Sequence, residues 1–216
     1  SISWGRIRLL SLRYVDFPKY TMWATLANTL SQNLISVFIP ILYDIKTLGF
    51  YSLVQRVLGV PSSIIGDSIG QVFYQEVARE RQATGTGVES FNGTIKKLFL
   101  LGVPIYTVIY IYIVDIFCIV FGGEWQVAGE YARILVPLFF VQFVVSTVSI
   151  MNSVFLKNRN GLIFQVVLFS VSLITLYVSE VMGFNDKVFF QCLVVLMSLV
   201  YIVFGLYLNR LKHGLN

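Results

Sequence analysis

The chain has 216 residues, of which 56% are hydrophobic and 12% charged, with a net charge of +5 and a mean hydropathy of +0.77. Soluble domains carry about 25% charged residues, so the composition excludes the ordinary globular class. The basic excess does not describe a nucleic-acid face either, because Lys and Arg fall in short stretches between apolar runs.

In chain order, the opening SISWGRIRLL has neither a Met nor a signal-peptide pattern, and it reads as part of a longer protein. Residues 1–19 interleave Arg6, Arg8, Arg13 and Lys19 with Trp4, Ile7, Leu9, Leu10 and Leu12, which predicts a basic amphipathic segment at the membrane surface. Pro18 suits the first turn of the helix that follows. Apolar runs near the ~20 residues needed to cross a bilayer predict an all-α, polytopic six-helix bundle. The expected spans are 20–43, 48–77, 98–121, 132–156, 161–182 and 188–208.

With six spans both ends lie on one side. That side collects Arg6, Arg8, Arg13, Lys19, Arg79, Arg81, Lys96, Lys97, Lys157, Arg159, Arg210 and Lys212, with 79–97 taken as a loop. The other side holds only Lys46 and Lys187. The positive-inside rule then predicts that both ends face the cytoplasm.

Arg56 and Arg133 are left inside spans. Arg56 has no acidic residue at i±3 or i±4. Asp67 follows it by eleven residues, which on a regular α-helix points it almost the same way, about 16 Å along the axis. Ser63, Asp67, Gln71, Gln75 and Arg79 recur every four residues and join Arg56 in a polar stripe, with Gly59, Gly66 and Gly70 nearby. A stripe of this kind is expected to face a bundle interior or a wet cavity, where small residues let a helix or ligand come close. The first span adds Asn28 and Gln32, and the fourth adds Gln142 and Arg133. The second and fourth helices are therefore expected to line a central pathway, with the apolar last span as lipid-facing support.

Plainer readings stand beside these. Asn, Gln and Ser in spans commonly bond one helix to another. Asp67 fits simple hydration near the interface, and Arg133 fits a pair with Glu130 one turn earlier. Arg56 fits snorkelling or a pair with an acid on another helix. Tyr106 and Tyr110, one turn apart, suit either a sugar or the membrane interface. Cys118 and Cys192 lack CxxC spacing, and His213 is the single histidine, so no zinc site or disulfide framework is read. Neither HExxH nor GxxxxGK[ST] occurs, so no enzyme and no cofactor are expected.

Three phrases carry a resemblance: DFPKY at 16–20, LANTLSQNL at 26–34 and FYSLVQRVLGVPSSIIGDSIGQVFYQE at 50–76. Together they resemble the C-terminal half of bacterial polysaccharide flippases, within the multidrug/oligosaccharidyl-lipid/polysaccharide exporter superfamily. Beyond Glu76 only topology and helix lengths continue the match. The resemblance implies a twelve-helix transporter of two six-helix bundles, this chain supplying the second and partnering the N-terminal half. It implies export of a polyprenyl-pyrophosphate-linked oligosaccharide for O-antigen or capsule by alternating access. Arg56, in the matching QR pair, is carried over as a ligand for the anionic head group. Arg133, Asp67, Gln71, Asn28, Gln32 and Gln142 complete the candidate set. Expected partners are the lipid-linked oligosaccharide, membrane lipids and a polysaccharide polymerase. Two alternatives stay open: a cation-coupled multidrug exporter of the same superfamily, and a non-transport membrane scaffold whose polar stripes are only packing.

Overall fold

A computed structural model describes residues 16–214, with the side chains of the first helix described without gaps only from Asn33 onward. Residues 1–15 of the expected surface segment lie outside the described residues, as do the side chains of Asn28 and Gln32. All regular structure described is helical: α1 Asp16–Leu42, α2 Ile45–Pro61, a π turn Ser62–Gly66, α3 Asp67–Thr84, α4 Val88–Phe121, a 3₁₀ turn Gly123–Trp125, α5 Gln126–Ser149, α6 Met151–Val154, α7 Asn158–Met182 and α8 Asp186–Leu211. Five stretches are long and apolar enough to cross a membrane: Ile45–Thr84, Val88–Phe121, Gly123–Val154, Asn158–Met182 and Asp186–Leu211. The shorter apolar part described in α1 is Asn33–Leu42. The protein is an all-α, multi-pass membrane chain.

Local chemistry sets the helix ends. The Asp44 carboxylate accepts from the Thr47 N–H at the start of α2, and Asn185 accepts from Val188 N–H (2.9 Å) at the start of α8. Gly85, with φ +78°, closes α3 in the left-handed conformation that favours glycine. The stretch 79–97, expected as a loop, is instead helical on both sides of a turn at 85–87. Glu80 reaches across that turn and accepts from the N–H groups of Glu89 (3.0 Å) and Ser90 (2.8 Å), satisfying donors exposed at the start of α4. The 40 residues of Ile45–Thr84 measure about 60 Å along the helix, against a hydrocarbon core of ~30 Å, so this element projects well beyond the membrane.

Helices in lipid gain little from apolar burial against one another, so shape decides their packing. α5 is the hub, packed on α4, α8 and α2–α3. At Gly129 an added Cβ would sit 2.8 Å from the Val114 Cα, and at Gly102 it would sit 3.0 Å from the rings of Phe140 and Phe143. These two glycines fix how closely α4 lies on α5. α7 fits between α1 and α8, where the Phe164 and Phe204 rings stack at 3.8 Å. α8, expected as lipid-facing support, buries Phe189, Phe190, Leu193 and Met197 inside the bundle and exposes only its other face. The apolar composition that suggested lipid contact serves both faces.

The basic end is tied together by groups from distant parts of the chain. Arg81 donates to the Val154 carbonyl and lies over the Phe155 ring (5.0 Å). Lys212 donates to Asn92 (2.9 Å), and Gly87 N–H bonds the Lys212 carbonyl (2.8 Å). At the opposite end Tyr131 donates to Asp186, and Lys187 pairs with Glu130 at 2.6 Å.

Candidate functional site

The polar stripe begins on α2. Thr47, Phe50, Tyr51, Val54 and Leu58 are its buried positions, recurring every three or four residues. Arg56 falls opposite that face and is exposed. An unbroken α-helix would next bury Ile65, Ile69, Val72 and Glu76. The buried positions are instead Gly66, Gly70, Phe73 and Val77, each one residue later. The π turn supplies that additional residue and rotates α3 by about 100° against α2.

Its cause is visible in the hydrogen bonds. Pro61 has no N–H to offer Val57, so the ladder is broken there. Ser62 N–H bonds the Gly59 carbonyl, and Asp67 N–H bonds Ser62, five residues back. The hydroxyls of Ser63 (to Val60, 3.0 Å) and Ser68 (to Ile64, 2.7 Å) satisfy further carbonyls around the wide turn.

This corrects one expectation. Arg56 and Asp67 do not point the same way, because the π turn moves Asp67 to about a quarter turn from the packed face of α3. Asp67, Gln71 and Gln75 are all exposed and wind progressively away from that face. The stripe therefore lies on the outside of this bundle rather than in its interior. Gly66 and Gly70 serve helix packing: a Cβ at Gly66 would stand 3.1 Å from Thr147 Oγ1, and one at Gly70 3.8 Å from the same residue. Gly59 has open space beside it.

Among the described residues, no hydrogen bond or ion pair joins the side chain of Arg56, Asp67 or Arg133 to a protein partner. Arg133 is exposed, and the expected pairing with Glu130 does not form because Lys187 takes that carboxylate. Tyr106 is buried against Phe140 and Phe143, with Ser62 Oγ 3.4 Å from its hydroxyl, so it belongs to the seam beside the π turn. Tyr110 is exposed.

Gln142 lies elsewhere. It lines a cavity of about 240 Å³ inside the ring formed by α1, α2, α5, α7 and α8, together with Tyr51, Gln55 and Tyr201. Gln55 donates to the Tyr51 hydroxyl, and the cavity lining carries no charged side chain. The expected single pathway between the second and fourth helices is thus two separate places. Arg56, Asp67 and Gln71 look outward, whereas Gln142 looks inward. Residue-by-residue reasoning on the fourth span missed Gln55, Tyr51 and Tyr201 as neighbours of Gln142. The usable signal was that Tyr51 and Gln55 sit one turn apart on the inward side of α2. Asn28 and Gln32 are placed by backbone alone, within α1.

The outer face can hold an anion through Arg56 and offer amide and carboxylate groups to hydroxyls along α3. The inner cavity can hold water or a small neutral group. Set beside this geometry, the family model of polysaccharide biosynthesis proteins matches residues 3–130, more than half of the chain. No curated protein and no solved structure matches the chain.

Proposed function

This chain belongs to the family of polysaccharide biosynthesis proteins, and from that premise we propose that it forms one six-helix half of a flippase for lipid-linked oligosaccharide. The cargo in this reading is an oligosaccharide on polyprenyl pyrophosphate, destined for O-antigen or capsule. The exposed face of α2 and α3 lines the translocation path against a second bundle. Arg56 holds the pyrophosphate, and Asp67, Gln71 and Gln75 offer hydrogen bonds to the sugars.

The observation that carries this reading is the position of Arg56. It stands on an apolar helix, opposite the packed face, and has no carboxylate partner among the described residues. Facing hydrocarbon at mid-bilayer, an arginine costs about 2.5–3.5 kcal/mol or more. Facing a hydrated path, it escapes most of that cost and presents a permanently charged fork that matches a phosphate in two parallel hydrogen bonds. The turn at Ser62–Gly66 supports a division of labour, since it swings the groups of α3 out of line with Arg56. The basic end of the bundle faces the cytoplasm in this reading, the chain has no catalytic step of its own, and a polymerase takes up the exported unit.

The test is Arg56→Ala in the full-length protein. Surface polysaccharide should disappear while membrane insertion and protein level stay normal, and Arg56→Lys should restore part of the export. Normal export by the alanine variant would overturn the role given to Arg56.

A further inference from the structure

A trough of about 530 Å³ runs between α7 and α8, on the outside of the bundle and larger than the cavity around Gln142. Its floor is the stacked pair Phe164 and Phe204, and its walls are Ile163, Val167, Leu199 and Val203, all exposed. From Leu199 to Tyr207 it extends about 12 Å along α8, close to the ~15 Å depth of one leaflet's hydrocarbon.

One end is polar. Asn160 Nδ2 donates to the Tyr207 hydroxyl at 2.6 Å and closes the trough. Arg159 adjoins Asn160, and Arg210 follows Tyr207 by one turn; both are exposed, and neither forms an ion pair among the described residues. The acidic residues of these two helices, Glu180 and Asp186, sit at the other end. Two cations without a local counter-charge, borne on residues that flank the polar end of an apolar trough about one leaflet deep, match the polarity of an anionic lipid.

We propose that this trough holds one anionic phospholipid, with an acyl chain along Val167, Leu199 and Val203 and its phosphate between Arg159 and Arg210. Charge chooses the head group: a zwitterionic lipid would bring its own cation toward the two arginines. Position chooses a bulk lipid over the proposed cargo, because α5 and α1 separate α7–α8 from the polar face of α2–α3.

The test uses purified, delipidated full-length protein and native mass spectrometry with phosphatidylglycerol, phosphatidylcholine and polyprenyl phosphate as probes. Phosphatidylglycerol should bind in preference to phosphatidylcholine. Arg159→Gln with Arg210→Gln should weaken phosphatidylglycerol by about thirtyfold, from two surface cations, and leave phosphatidylcholine unchanged. Val203→Trp, which fills the trough and keeps both charges, should also expel the lipid. Three results would each overturn the proposal: equal affinity for both phospholipids, phosphatidylglycerol binding unchanged in the double variant, or polyprenyl phosphate displacing phosphatidylglycerol in a Val203-dependent manner.

Discussion

The two polar regions of the bundle share one helix and differ in charge. On α2, Gln55 turns inward to Tyr51 and the cavity around Gln142, while its neighbour Arg56 turns outward and is exposed. Inside, every polar group lining the cavity is neutral; outside, the charges Arg56 and Asp67 appear among amides. The difference follows from desolvation. A neutral amide is satisfied by one well-placed neighbour, whereas an enclosed charge loses several kcal/mol of hydration that only a partner or water returns. The adjacent residues of the QR pair thus belong to different compartments. What separates them is a wall one helix thick.

Exchanging charge across that wall should produce the largest effect. Gln142→Arg puts a guanidinium into a half-open cavity that has no carboxylate in its lining, and it should lower stability by about 3 kcal/mol, read by unfolding in detergent. Gln71→Arg adds the same group to the outer face and should change stability by less than about 0.5 kcal/mol. Equal losses in the two variants would erase the distinction between the regions.

The seam that follows that wall, where the π turn and α3 meet α5, offers the next test. Gly66 lets α3 lie on α5 at Thr147 and Phe143, with 3.1 Å from its would-be Cβ to Thr147 Oγ1. Gly66→Leu should push α3 off that seam and cost about 1–3 kcal/mol through overpacking. Gly49→Leu is the control, because the space beside Gly49 is open and this residue of α2 lies outside the cavity lining. In a background with Cys118→Ser, Cys192→Ser and Gln55→Cys, the Gly66 variant should also raise labelling by a thiol reagent, and no change in labelling would mean that this seam is not the barrier.

Much of this is legible in the sequence. Composition and run length indicate an all-helical membrane chain, and the lack of acids near Arg56 singles it out as a residue without an intrahelical partner. Periodicity misjudges Asp67 because it assumes one uninterrupted helix. Pro61 announces a break in the ladder, but proline permits either a kink or a wide turn. The fit of Gly66 and Gly70 on Thr147, a contact across some eighty residues of chain, goes with the wide turn. The surroundings of Gln142 were equally hidden, since a helical repeat reveals the face a residue occupies but not which helices close over it. The charges of 79–97 suggest a single loop, and neither the short turn at 85–87 nor the reach of Glu80 across it follows from them.

The smallest predicted effect concerns where α2 begins, which sets the register of both polar regions at once. Asp44 accepts from the backbone N–H of Thr47, and that bond holds its carboxyl below the ordinary value of 3.8. A carboxylate depressed in the folded state contributes stability above its unfolded pKa, and that contribution is lost as pH falls through the folded value. Asp44→Ala should therefore lower the unfolding temperature slightly at neutral pH, and the gap to wild type should close in strong acid. Asp44→Asn keeps an acceptor at the cap and should lie between the two, without the acid-dependent change. Because the carboxylate is fully exposed, solvent screens most of its interaction, and none of these variants should alter either polar region. A large loss of stability in Asp44→Ala would mean that the start of α2, rather than its packing on α5, decides which way Gln55 and Arg56 face.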